Sequence, residues 1–294
     1  MEDKKTWVSI IIPTYNRKNV ISKAIDSCLK QTYSNVEIVI CDDHSSDGTL
    51  DFLKKKYEHI DNIKYCVTPK GKKGANAARN EGIRISKGEF IAFLDDDDEL
   101  VEDSIEVRIN TALSTDSVFV YGDAYYLPPG EESPMTVQFD DISEFDQKRF
   151  LVRELALCSQ ITIMVSKSAL ESVGYLDENM ISSQDDDVVV SVGLKYKLQH
   201  CKQVVAIIGF SEKSIISNKK NLYLGRKIIV KKYKNEIIKY ASYRRYILWQ
   251  IRLIAMWAKY REQKSKFRVM KIAYRVLYRA IFNLIGRKKF FRRW

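Results

Sequence analysis

Histidine, cysteine and proline are scarce in this 294-residue chain, and each scarcity narrows what the protein can be. The three histidines, His44, His59 and His200, share no metal-ligand spacing, and no Ser/His or Cys/His arrangement for nucleophilic catalysis can be argued from them. The five cysteines (Cys28, Cys41, Cys66, Cys158, Cys201) are odd in number, widely spaced and lack a C-x-x-C pair, which fits a reduced cytosol best. Long apolar runs are missing as well. The greasiest stretch, Tyr246 to Ala258, is broken by Gln250 and Arg252. It is shorter than the roughly 20 residues a spanning helix needs, so no transmembrane segment is expected. The polar start Met1-Glu2-Asp3-Lys4-Lys5 leads into a short apolar strand, and no secretion leader is expected. Of the five prolines, Pro128, Pro129 and Pro134 cluster with Gly130 and many acids between Leu127 and Asp146, which reads as a surface loop. There is no internal repeat.

What is present is an ordinary globular share of apolar residues, 45%, which rules out disorder over most of the chain. The net charge of +11 is unevenly placed. Residues 211 to 294 hold 25 basic and 3 acidic residues, a net +22, and the preceding 210 carry a net −11. An acidic body with a basic tail points to an anionic partner for the tail, either a membrane surface or a nucleic acid.

Along the body, apolar strands alternate with helical spacing. Val8-Ser9-Ile10-Ile11-Ile12 is β-branched, stops at Pro13, and precedes Val20, Ile21, Ala24, Cys28 and Leu29 at helical intervals. Glu37 to Cys41 is a second strand, ending in Asp42-Asp43 before a helix from about Leu50. Ile63 to Val67, a Gly/Lys loop and a helix carrying Ala77, Ala78, Ile83 and Ile85 repeat the unit. Phe90 to Leu94 and Val118 to Tyr121 follow, and apolar runs return at Ile161 to Val165 and Val204 to Ile208. Such alternation predicts an α/β fold with a largely parallel sheet. Ligands sit at the carboxyl ends of strands in such sheets, where Pro13-Thr14-Tyr15, Asp42-Asp43 and Asp95-Asp96-Asp97-Asp98 all fall.

Four consecutive aspartates repel one another unless neutralised, and their hard oxygens suit Mg²⁺ or Mn²⁺. The plainer reading is an acidic turn whose Asp98 caps a helix from about Leu100, with Glu102 and Asp103 favoured by its dipole. Asp185-Asp186-Asp187 is a second acidic row. It could supply a proton acceptor, or simply begin a helix. Tyr15 could stack on a base or pack against the fold. Gly71-Lys72-Lys73-Gly74 could meet phosphates or form a solvated turn.

The order of these motifs resembles glycosyltransferase family 2. The matching stretches are VSIIIPTYNR (Val8 to Arg17), QTYSNVEIVICDDHSSDGT (Gln31 to Thr49), ARNEGIRISKGEFIAFLDDDDEL (Ala78 to Leu100) and, more weakly, VGYLDENMISSQDDD (Val173 to Asp187). The resemblance implies the GT-A fold, a Rossmann-like, mostly parallel sheet flanked by helices, over residues 1 to 215. Residues 216 to 294 then form a C-terminal basic helical extension. It implies that Pro13 and Tyr15 line a nucleotide base pocket and that Asp43 accepts a hydrogen bond from a uracil-like ring. Arg79, Asp95 and Asp96 would contact the donor, Asp97 would ligate Mg²⁺ or Mn²⁺, and Asp185 would be the general base. Gln184 stands where the family has Glu before that base, and His44 where it has Gly. Arg293-Trp294 ends the chain with Phe290 in place of the Gln or Arg of the processive Q-x-x-R-W pattern, which favours one sugar added per cycle. The implied reaction is inverting transfer from a nucleotide-sugar, a UDP-sugar by the resemblance, to a saccharide or lipid-linked acceptor. A sugar nucleotidyltransferase would show a G-x-G-T-R-like loop that Pro13-Thr14-Tyr15-Asn16-Arg17 does not supply; a non-catalytic membrane scaffold is the non-enzyme alternative.

In the tail, Arg268, Lys271, Arg275 and Arg279 recur at three- or four-residue spacing while Val269, Ile272, Val276, Ile281 and Leu284 mark another face, with no acid from Lys266 to Ile285. Gly286 would end such a helix and Arg287 to Trp294 would add charge and aromatic anchors. That pattern predicts an interfacial helix on an anionic membrane, and so a cytoplasmic protein peripheral to the inner face of the cell membrane. A helix packed on the catalytic domain is the plainer alternative, and the apolar face argues against a nucleic-acid partner.

Overall fold

The computed structural model describes residues 6–126, 128, 133–142, 146–209, 218–264 and 268–285. The elements in order are β1 (Val8–Thr14), α1 (Ile21–Leu29), β2 (Val36–Asp42), α2 (Thr49–Lys56), β3 (Ile63–Val67), α3 (Ala75–Ile85), β4 (Phe90–Phe93) and β5 (Glu99–Leu100). They continue with α4 (Ser104–Thr115), β6 (Phe119–Tyr126), β7 (Met135–Val137), α5 (Gln147–Glu154), β8 (Ile163–Ser166), α6 (Lys167–Ser172), α7 (Gln184–Gly193) and β9 (Gln199–Ile208). The remainder is helical: α8 (Lys219–Lys232), a short α9 (Lys234–Glu236), α10 (Tyr243–Lys264) and α11 (Arg268–Ile285).

The chain forms two compact units. The first comprises residues 1–147, 156–179 and 184–211 and is built on one sheet in the order β3-β2-β1-β4-β8-β6-β9-β5, with β7 paired to β6. Strands β1 to β4 pair in parallel, as expected from their helical crossovers. The second half of the sheet is mixed, because β8 enters antiparallel between β4 and β6. An apolar run such as Ile161 to Val165 fixes burial but not direction, so this reversal has no signature in the sequence. Both faces of the parallel block are covered: β1 and β2 are buried along their whole length, and α1 turns Ile21, Ala24, Ile25 and Cys28 inward at helical spacing. The fully buried Arg108 of α4 donates to the Ser104 and Ile163 carbonyls at 3.1 Å, so its charge meets backbone dipoles.

Two expectations need correction. Cys41 and Cys66, 25 residues apart, face each other in the β2–β3 register with Cα atoms 4.8 Å apart and are joined as a disulfide, where unpaired thiols were expected. Strand register brings together what sequence spacing hid. Asp98 caps no helix: the chain after it forms β5 against β9, and α4 begins only at Ser104.

The second unit comprises residues 148–155, 180–183 and 212–294. Within it α10 packs on α8 and on α11. Trp257 meets Tyr274 edge to face at 5.4 Å, and Arg275 pairs with Glu262 at 2.8 Å. Around this contact α11 leaves Met270, Ile272, Val276 and Leu277 exposed on one arc, beside exposed Lys271, Arg275 and Arg279. None of the described helices is long and apolar enough to cross a membrane. The expected boundary at 215/216 and the run Gly286 to Trp294 lie outside the described residues.

Candidate active site

The site is assembled from the carboxyl ends of β1, β2 and β4. Pro13 and Thr14 close β1 in register with Cys41 and Asp42 of β2. Beyond them Asn16 takes a left-handed φ of 54°, turning the chain so that the β1–α1 loop lies on the β2–α2 loop. Asn16 N–H donates to Ser45 Oγ at 2.8 Å and Ser46 N–H returns to Asn16 Oδ1 at 2.7 Å. His44 is also left-handed, at φ 63°, a conformation that explains why glycine suits this position. Tyr15, 57% exposed, stands open at the strand end rather than packing inward.

Asp43 is held by its backbone, whose N–H donates to the Thr14 carbonyl at 2.8 Å. Its Oδ2 accepts from Gly74 N–H at 2.8 Å, while Oδ1 is buried with no partner among the described residues. That unmatched acceptor is costly unless something absent here donates to it. The Gly71–Gly74 loop is therefore tied to Asp43 and, through a 2.9 Å ion pair between Lys72 and Glu178, to the segment before α7.

The aspartate run after β4 alternates. Asp96 and Asp98 are buried, whereas Asp95 and Asp97 keep 40% and 27% of their side chains exposed. Each inward carboxylate has a specific partner. Thr14 Oγ1 donates to Asp96 Oδ2 at 2.8 Å, and Gly209 N–H donates to Asp98 Oδ1 at 2.7 Å. A Cβ on Gly209 would fall 2.1 Å from the Asp97 carbonyl oxygen, so only glycine permits this approach. Burial raises Asp96 to about 6, against the opposing Thr14 hydrogen bond and Arg17 charge. Burial and the neighbouring Asp95 charge raise Asp98 to about 8.

The outward carboxylates meet arginines. Arg79 of α3, buried and braced by Asn76 Oδ1 at 3.1 Å, pairs with Asp95 Oδ1. Arg17 spans Asp96 at 3.4 Å and Asp97 at 3.3 Å. Guanidinium groups thus occupy the cation positions of this cleft. Among the described residues no three His, Cys, Asp or Glu side chains gather to hold a metal by themselves. A magnesium or manganese ion is commonly held by one or two carboxylates completed by substrate phosphates, and the half-open Asp97, with Asp95 two residues away, suits that mode.

Asp185 lies in the first turn of α7, where its Oδ1 accepts from Asp186 N–H at 3.0 Å, while Asp186 and Asp187 are buried. The segment leading to it is clamped to α3: Asn80 Nδ2 donates to the Leu176 carbonyl at 2.9 Å, Leu176 N–H returns to Asn80 Oδ1 at 3.0 Å, and Asn76 Nδ2 reaches the Asp177 carbonyl at 2.9 Å. Thr14, Arg17, Asn76, Asn80 and Gly209 were not singled out from the sequence. The first four sit inside or beside matched motifs, which was the available signal; Gly209 had none.

Comparison with known proteins follows the same lines. Residues 9–174 match the family model Glycosyl transferase family 2. An Escherichia coli UDP-Glc:alpha-D-GlcNAc-diphosphoundecaprenol beta-1,3-glucosyltransferase, WfgD, is 44% identical over 115 residues, 39% of this chain and 44% of that protein. A Campylobacter jejuni GalNAc(5)-diNAcBac-PP-undecaprenol beta-1,3-glucosyltransferase is 32% identical over 175 residues, 58% of this chain and 55% of that protein. The chain thus spans about half the length of these curated relatives. Among solved structures, S. aureus TarS 1-349 in complex with UDP-GlcNAc superposes with a TM-score of 0.65 at 16% identity, covering 98% of this chain and 93% of that one. The Pyrobaculum calidifontis mannosyltransferase PcManGT with GDP-Man and Mn²⁺ gives 0.64 at 14% identity, covering 98% and 84%. At such identity these two share the fold with this chain.

Proposed function

The chain belongs to glycosyl transferase family 2, and from that premise we propose that it transfers a single sugar, with inversion, from a UDP-sugar to a lipid-linked or polysaccharide acceptor. The observation that carries the reading is the alternating aspartate run, with two buried carboxylates anchoring it and two half-open ones facing arginine cations at the ends of parallel strands.

In this reading Pro13 and Tyr15 flank the nucleotide base, and the unmatched Asp43 Oδ1 accepts the ring N–H that would satisfy it. Arg79, Asp95 and Asp96 hold the ribose and diphosphate end of the donor. Asp97 would ligate Mg²⁺ or Mn²⁺, which when bound stabilises charge on the departing diphosphate. Asp185 takes the proton of the acceptor hydroxyl as its oxygen bonds to the anomeric carbon and the bond from that carbon to the phosphate oxygen breaks. The nucleoside diphosphate leaves with that electron pair, and no covalent enzyme intermediate forms. The names of the curated relatives support an undecaprenyl-diphosphate-linked acceptor.

The tail supports a location on the inner face of the cell membrane. The exposed apolar arc of α11 beside Lys271, Arg275 and Arg279 suits the interface of an anionic bilayer. Incubating nucleotide-sugars with the protein and Mn²⁺ or Mg²⁺, and following nucleoside diphosphate release, tests the central reading. UDP release that depends on metal and acceptor is expected; if no donor is consumed and none binds with metal dependence, the reading fails. Cosedimentation with anionic but not neutral vesicles tests the membrane component.

A further inference from the structure

One cation in the cleft has no role in the scheme above. The Arg17 backbone N–H donates to Thr49 Oγ1 at 3.2 Å, which fixes where the side chain starts. Its guanidinium, 31% exposed, has Asp96 and Asp97 as its partners among the described residues, at 3.4 and 3.3 Å. These are long for a charge-assisted bond, which favours about 2.7–2.9 Å. Arg79 differs in each respect: its side chain is 4% exposed, braced by Asn76, and closely paired to Asp95. The cleft therefore contains one fixed guanidinium and one loosely held one.

Arg17 reaches Asp97 through Oδ2, so a divalent ion on the same carboxylate would sit beside a like charge. Their repulsion sets the ion and the guanidinium in competition for Asp97. We propose that Arg17 is an exchangeable counter-ion, which neutralises Asp97 in the metal-free protein and turns its donor fork to the diphosphate of a bound nucleotide once a divalent ion takes Asp97. The proposal rests on the donor-site reading given above. The anchored backbone leaves the long side chain free to swing within the same cleft, and a planar fork suits phosphate oxygens. Because the coupling is reciprocal, an anion that draws Arg17 away from Asp97 strengthens metal binding, and the metal strengthens anion binding. Donor and metal would then enter together.

The test uses the full chain, Mn²⁺ and UDP as probes, and calorimetric or paramagnetic-resonance binding measurements without turnover. Arg17→Gln is expected to bind Mn²⁺ alone about fivefold or more tighter than wild type, and UDP in saturating Mn²⁺ about fivefold or more weaker. A merely structural arginine would weaken both. Unchanged or weaker Mn²⁺ binding by the variant overturns the counter-ion exchange, and unchanged UDP binding overturns the diphosphate contact. If wild type itself binds neither Mn²⁺ nor UDP, the donor-site reading fails first. Should Arg17→Gln not fold, Arg17→Met, which keeps a long stem but removes the charge, must show the same two opposite signs.

Discussion

Thr14 Oγ1 donates a 2.8 Å hydrogen bond to Asp96 Oδ2 across 82 residues of sequence, joining the end of the first strand to the acidic turn after the fourth. Asp96 is turned inward by this bond, while Asp95 and Asp97 face outward in a turn closed by the 3.2 Å hydrogen bond from Asp98 N–H to the Asp95 carbonyl.

Removing the outward acid should separate metal binding from proton transfer. Asp97→Ala is expected to lose Mn²⁺-dependent UDP binding and to lower turnover by about 10²–10³-fold. Asp185→Asn is expected to lower turnover by about 10²–10⁴-fold while leaving Mn²⁺-dependent UDP binding near wild type. Steady-state UDP release and calorimetry distinguish the two; loss of UDP binding in Asp185→Asn would contradict its assignment as the base.

The Asn80–Leu176 pair predicts a stability effect away from the carboxylates. In Asn80→Ala both backbone groups of Leu176 lose their partner in a buried place, costing about 1–3 kcal/mol. Urea denaturation should show the lowered midpoint. Asn80→Asp keeps the acceptor for Leu176 N–H but brings a negative charge beside Glu178, and should destabilise as well.

Acid should loosen the sheet through Glu37. This buried carboxylate lies near the start of β2, accepts from Ser9 Oγ and pairs with Lys64 at 2.9 Å. Burial pushes its pKa up, but the Ser9, Lys64 and Lys87 contacts outweigh burial and hold it below the ordinary carboxylate value. A folded-state pKa below the unfolded one, about 4.3, stabilises fully above that unfolded value, and the stabilisation is lost as pH falls through the folded pKa. Melting temperatures measured from pH 6 downward should fall below about pH 4.5, and Glu37→Gln should flatten that fall while lowering stability at pH 6.

His44 offers the opposite sign. An exposed, non-glycine residue at φ 63° costs about 1–2 kcal/mol, offset in part by the extra unfolded-state freedom of glycine. His44→Gly should therefore stabilise by about 0.5–1 kcal/mol in thermal or urea unfolding. A destabilised variant would mean that the imidazole makes a contact outweighing the backbone cost.

Local physics made much of this protein legible before its fold was known. β-Branched runs ending in polar clusters located β1, β2 and β4 and the three strand ends that form the site, because burial and chain breaking are written in adjacent residues. Helical spacing likewise located α1 and α3, and the amphipathic pattern of α11 needed no partner to be seen. What the tertiary structure alone decided is which distant group answers each polar side chain. Asp98 reads as a helix cap in its own neighbourhood, yet its acceptor is satisfied by Gly209 N–H, 111 residues away, and a strand takes the place of the helix. The Cys41–Cys66 pairing, the antiparallel entry of β8 and the Arg17 bridge share that origin. A hydrogen bond or ion pair between remote residues depends on register and on which strand lies next to which, and neither is encoded in the spacing of residues along one segment.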